Sequence, residues 1–193
     1  MPVTATNLIA GSAELYVGDF GAVEPLSTAV ASDLDDEVWR DLGGTNDGVT
    51  LNVAREFFRL AVDQIIDAPG RRLTERDVSV ATNLAEGTLE NLALAMGQPE
   101  SDVSTGGTGA TGYAQLDLEG DDSGAEPAYV AVILRGRAPA GKKRNVIIRK
   151  ALSTEEVESA YTKDGQTLVP VTFMAHWVSK TVRPVRIVDE RPA

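Results

Sequence analysis

Between residues 56 and 67 the chain reads EFFRLAVDQIID, which puts Phe58, Leu60, Val62 and Ile66 on one parity and Arg59, Asp63 and Asp67 on the other. A period of two marks a long half-buried strand. Ala68, Pro69 and Gly70 interrupt it, and the alternation resumes over 73–83 with Val78 and Val80 facing one way and Glu75, Asp77 and Ser79 the other. Two alternating runs around a turn signal predict a β-hairpin. Further strands are predicted at 13–17, 113–118, 129–135, 145–152, 168–177 and 182–188. An earlier hairpin is expected over 38–51. Its Gly43-Gly44 and Asp47-Gly48 pairs suit positive φ and would form a mobile tip. Residues 18–37 have weak periodicity and read as an extended connection. It ends in the solvated acidic run Asp33, Asp35, Asp36 and Glu37.

One segment follows the helical period instead. Asn83 is placed to cap it, Glu86 stands three residues on, and Ala85, Leu89, Leu92, Ala93 and Met96 share a face. Gly97 and Pro99 stop it, which predicts a helix at 84–96, and residues 98–112 follow as a polar, glycine-rich loop. The fold class is mainly β with one α-helix. Layering favours a β-sandwich or rolled sheet covered on one side by that helix. Residues 13–178 form the expected domain, between arms at 1–12 and 179–193 that have no core of their own.

Composition narrows the chemistry. There are 193 residues, 42% of them apolar, enough for one domain with a sizeable core. No cysteine and a single histidine remove disulfides, thiolate catalysis, zinc knuckles and most triads. No opening signal peptide and no long apolar run is visible, so synthesis and assembly in the cytosol are expected.

The net charge of −11 disfavours gripping a nucleic-acid duplex. That charge is unevenly spread: −17 over 1–134, +7 over 135–152 and −1 over 153–193. The basic segment, with Arg135, Arg137, Lys142, Lys143 and Arg144, suits either a nucleic-acid patch or the acidic surface of another copy. The second fits the acidic chain better.

Apparent motifs have plain readings. Residues 107–112 spell G-x-G-x-x-G, but a helix and loop precede them and a strand follows, the reverse of a dinucleotide site. Residues 136–143 approach a phosphate-binding loop, yet Lys143 stands where a hydroxyl is needed and NVIIRKAL continues as a strand, so a basic hairpin is expected. Asp117, Glu119, Asp121 and Asp122 are out of register for a calcium loop. His176 lacks a nucleophile in defined relation to it and reads as a packed or edge residue. No catalytic residue, metal or cofactor is expected.

The order of segments is more telling. The run Trp39-Arg40-Asp41-Leu42-Gly43-Gly44-Thr45, then Gly48-Val49-Thr50-Leu51, a long strand containing Val62-Asp63-Gln64, and a strand ending Val80-Ala81-Thr82-Asn83-Leu84-Ala85-Glu86 before Thr88-Leu89-Glu90-Asn91-Leu92, resembles the major tail tube proteins of long-tailed bacteriophages. The resemblance implies a tail-tube β-sandwich whose inner sheets join into an oligomeric β-barrel. Six copies would form a ring, and stacked rings a conduit for DNA ejection. It also implies a virion protein, not an enzyme. Its partners would be itself, the tape measure protein, the tail terminator and tail-tip proteins, with DNA passing unbound through the lumen and no membrane involved.

Six subunits each lending about four strands give a circumference of roughly 150 Å, room for a double helix. On this reading Leu42, Gly43, Gly44, Thr45, Asn46, Asp47 and Gly48 are ring-stacking candidates. Asp63, Asp67, Glu75 and Asp77 are lumen candidates, with the outer solvated face as the alternative. The basic segment is an inter-subunit patch. A tube component of a phage-derived secretion or gene-transfer particle is an alternative, and a small-ligand-binding β-protein with 98–112 as a lid is another.

Overall fold

The computed structural model describes residues 3–118 and 127–191. Ten strands and one α-helix follow in the order β1 (Glu14–Asp19), β2 (Arg40–Asp41), β3 (Thr45–Leu60), β4 (Gly70–Leu84), α1 (Leu89–Ala95), β5 (Val103–Gly106), β6 (Tyr113–Leu116), β7 (Val130–Arg137), β8 (Lys143–Ser153), β9 (Val169–Ala175) and β10 (Val185–Asp189). Eight of the strands form one antiparallel sheet in the order β2-β1-β7-β8-β9-β4-β3, with β10 also paired to β8; β5 and β6 make a separate small hairpin. The expected class, mainly β with one helix, is the observed one.

Strand β8 is where the sheet divides. Residues Arg144–Ile148 pair with β10, whereas Ala151–Ser153 pair with β9. The sheet curls over itself there, because the main core joins Leu15, Val132, Val146 and Ile148 on one limb to Val80, Leu84, Val171 and Phe173 on the other. Leu94 and Ala95 of α1 complete that cluster. The other face of β7 and β8 buries Ala131, Ile133 and Ile147 against Leu34 and Trp39, so the middles of these two strands are covered on both sides and read as the apolar runs Val130 to Leu134 and Val146 to Ile148. The Trp39 indole N–H donates to the Val23 carbonyl at 3.0 Å and fixes the intervening segment over that face.

Four expectations need correction. The hairpin turn lies at 61–69, and β3 begins at Thr45. Gly43 at 82°, Asp47 at 63° and Gly48 at 76° have the positive φ expected of them. They do not reverse the chain. Gly43 turns it into β3, and Asp47-Gly48 form a bulge between the Asn46–Asn83 and Val49–Thr82 pairs. Alternation continued through 66 only because loop residues matched its parity; Ile66 is 99% exposed.

The helix starts later than expected. Residues up to Leu84 remain in β4, and Thr88 is the cap, its hydroxyl accepting from the Asn91 N–H at 3.2 Å. Glu86 instead accepts from the Gly44 N–H at 2.9 Å. The buried Asn91 amide donates to the Leu42 and Glu86 carbonyls, and its oxygen accepts from Arg40, tying the helix to β2.

Residues 98–112 are not all loop, since β5 pairs with β6 and the glycine motif joins them. The C-terminal segment is not a free arm either: the predicted strand at 182–188 is present as Val185–Asp189, paired in register with β8 and anchored by Val185 against the core and by charges described below. The weighed calcium loop lies outside the described residues except for Asp117.

Phe173 is fully buried in the main core, whereas Phe57 on β3 is half exposed. Phe173→Ala is expected to destabilise the isolated chain by about 3–5 kcal/mol, and Phe57→Ala by under about 0.5 kcal/mol. Urea unfolding followed by circular dichroism checks both.

Candidate functional site

Among the described residues, the far half of the β3–β4 hairpin stands out because its strands are exposed throughout and pair only with each other. Opposed residues of an antiparallel pair share a face, so the register assigns two faces to this arm. One continues the core: Leu51/Val80 and Val53/Val78, then Arg55/Arg76, Phe57/Leu73 and Arg59/Arg71. The opposite face carries Thr50/Ala81, Asn52/Ser79, Ala54/Asp77 and Glu56/Glu75, then Phe58/Arg72 and Leu60/Gly70 towards the turn. A second bulge, at Thr74, keeps Phe57 opposite Leu73. From Asn52 to Leu60 every residue of β3 is exposed, as is Arg71 to Asp77 of β4. The arm leaves the body with an apolar and arginine-bearing face on one side and, on the other, a face that is small, polar and acidic as far as Glu56/Glu75 and ends in Phe58, Arg72 and Leu60.

The acidic face extends over β9, where Ser79, Ala81 and Asn83 neighbour Met174, Thr172 and Pro170. None of these residues is buried. This makes an open wall of short side chains beside the uncovered main-chain edge of β3, the terminal strand of the sheet.

The predicted site residues are dispersed. Of the ring-stacking set, Leu42 belongs to the core and is 1% exposed, so it offers no surface. Gly43 turns beneath Glu86, and Thr45 and Asn46 pair with Leu84 and Asn83. Gly44, Asp47 and Gly48 are exposed. Of the lumen set, Glu75 and Asp77 lie together on the acidic face of the arm, whereas Asp63 and Asp67 sit in its turn.

The basic set does not form one free patch. Arg135 is buried, donating to Asn145 Oδ1 at 3.1 Å with its guanidinium 5.7 Å from the Tyr16 ring centre. Arg144 pairs with Asp189 and Lys142 with Glu190 within the chain, at 2.6 and 3.0 Å. Lys143 donates its backbone N–H to Glu190, and the Arg137 side chain packs by Gly11. A surface patch that includes Arg135 is therefore excluded by burial. Arg149 holds Glu24 in a two-point ion pair, and Arg186 reaches the same carboxylate.

Sequence reasoning missed the arm's arginines, although a signal was present. Arg55, Arg59, Arg71, Arg72 and Arg76 are five of the six bases before residue 135.

The near-miss motifs resolve as turns. Residues 139–141 form the tight β7–β8 connection, with Ala140 and Gly141 at positive φ. His176 packs edge-on against Tyr129, ring centres 5.4 Å apart, and Lys150 lies 3.8 Å from the Tyr129 ring centre. Among the described residues there is no cluster of side chains suited to a metal ion, and no helix long and apolar enough to cross a membrane.

A rolled antiparallel sheet, one short helix and an exposed two-faced hairpin frame the comparison with known proteins. The family model described as phage tail tube protein matches residues 4–185. The chain belongs to the phage tail tube protein family. A search of curated proteins finds no match. As a tail tube family member the chain is a structural component of the virion tail, and such proteins normally carry no enzymatic activity. Membership implies self-assembly into a tube with other tail proteins.

The ion pairs of this tail tube protein give it a pH signature. The hydrogen bond from Arg144 holds the Asp189 carboxyl below its usual range, and Lys142 with the Lys143 N–H does the same for Glu190. Arg149 lowers Glu24 likewise. A depressed carboxyl stabilises the fold above its unfolded pKa, and the contribution is lost as pH falls through the folded one. The β10 strand is thus expected to stay docked at pH 5 and to loosen below about pH 4. NMR shifts of Val185–Asp189 check this, and Arg144→Ala should remove much of the dependence.

Proposed function

We propose that six copies close into a ring and that rings stack into the tube through which DNA leaves the capsid. The observation that carries this reading is the open β9–β4–β3 wall with its exposed terminal strand. An isolated subunit leaves a long strand edge unpaired, and ring closure satisfies it. The small and acidic face, with Glu56, Glu75 and Asp77 among Thr50, Asn52, Ser79 and Ala81, becomes the lumen lining. Duplex DNA carries about one negative charge per 1.7 Å, so an acidic lining repels it and leaves it mobile, where a basic one would hold it by counterion release.

Asp63 and Asp67 take their place at the end of the arm, near the junction between rings. The exposed bulge at Asp47-Gly48 is the remaining stacking candidate of its segment. Tape measure, terminator and tail-tip proteins would meet the lumen and the two ends.

Electron microscopy of the purified protein tests the assembly: six-fold rings or tubes support it, and persistent monomers at high concentration oppose it. Wild-type tubes are expected to show no duplex binding at moderate salt. The triple variant Glu56→Lys, Glu75→Lys and Asp77→Lys should bind duplex in a steeply salt-dependent way. Wild-type tubes that retain DNA would contradict the lumen assignment.

A further inference from the structure

The arginine face of the arm is electrostatically incomplete. Arg55 stands directly opposite Arg76, and Arg59 opposite Arg71, two like-charge rungs on one face. Directly opposed like charges weaken a strand pair. None of these four residues enters an ion pair among the described residues. Phe57 lies between the rungs and is 50% exposed. A face with this composition is suited to a partner surface that is acidic and has an apolar recess.

The same chain carries that surface elsewhere. Asp33, Asp35, Asp36 and Glu37 are all exposed and likewise enter no ion pair among the described residues. Beside them is a hollow of about 240 Å³ walled by Val23, Leu26, Leu34 and Val38 together with Asp33 and Asp35. A void of about 150 Å³ already accepts a benzene ring. Within one subunit, no hydrogen bond or ion pair found among the described residues joins the arm to this run. Two complementary, separate and unsatisfied surfaces on one chain define a head-to-tail contact between copies.

We infer that the arginine face of the β3–β4 arm docks on residues 33–37 of a second copy, with Phe57 entering the hollow beside Leu26. This rests on the tube reading for the presence of the second copy, and adds which surfaces meet. The aromatic ring is the desolvated anchor of the contact, and the four arginines and four acids around it set its register and speed its formation.

The chain has no cysteine, so an engineered pair is unambiguous. Copies with Phe57→Cys mixed with copies with Leu26→Cys should give a disulfide-linked dimer under assembly conditions, and neither variant alone should. Arg55→Glu with Arg76→Glu, or Asp35→Lys with Asp36→Lys, should each slow tube growth at low salt by about tenfold or more, and the variant with all four changes should recover most of the rate. Thermal melts of the monomers confirm that each variant folds. Wild-type tubes with no cross-link and no recovery in the combined variant would overturn this contact while leaving the tube reading intact. A wild-type protein that never assembles would overturn the tube reading, and this contact with it.

Discussion

The β3–β4 ladder is longer than the core available to cover it, and much of the molecule follows from that mismatch. Strands of 16 and 15 residues pair almost throughout, but burial in β4 stops at Val78 and the matching support in β3 fades after Leu51. Near the body the hairpin is a wall of the main core, packed against β9 and facing β7 and β8. Beyond it the strands pair only with each other, flanked across open hollows by residues 177–187 beside Leu73 to Arg76, and an isolated two-stranded ribbon is marginal in water. An arm of this kind gains its lasting order from another surface. In the proposed tube that surface is another subunit.

Charge placement on the arm is consistent with that role. Glu56, Glu75 and Asp77 gather on the face of short side chains, and Arg55, Arg59, Arg71 and Arg76 gather on the face that continues the core, with Arg72 alone of the arm's arginines on the acidic side. Each set includes like charges directly across the ladder, at Glu56/Glu75 and Arg55/Arg76. Such rungs are unfavourable in the free subunit and discourage the arm from folding onto a surface of its own sign. The basic stretch at 135–152 behaves differently. Lys142, Arg144 and Arg149 are met inside the chain by Glu190, Asp189 and Glu24, which fasten β10 and the segment before Trp39 to the body. Intramolecular ion pairs hold β10 and the Glu24 segment to the body, whereas Arg55, Arg59, Arg71 and Arg76 have no such pair among the described residues.

Much of this was legible in the sequence, and the failures have physical causes. The apolar runs of β7, β8 and β9 announced their strands because burial on one or both faces leaves a strong pattern. The tight β7–β8 turn was legible from Pro139 and Gly141. The end of the long hairpin was not, because Val62 and Ile66 preserve the alternation through a loop and Asp47-Gly48 signals positive φ equally for a turn or a bulge. The helix start was misplaced because Asn83 and Glu86 have capping chemistry that the fold uses in β4 and at Gly44. The strand at 182–188 was legible from its apolar residues, but its docking on β8 was not, because pairing between segments that far apart in sequence leaves no local signal. The arginine face was hidden in a chain whose net charge draws attention to its acids, and only the strand register brings those arginines together.

Hydrogen exchange over residues 52–77 is the most direct test of the central claim, that this arm is completed by a neighbouring subunit. In the isolated chain its amides should exchange orders of magnitude faster than those of β7 and β8, and in the assembled tube they should approach core protection. Equal protection of the arm in both states would contradict the account.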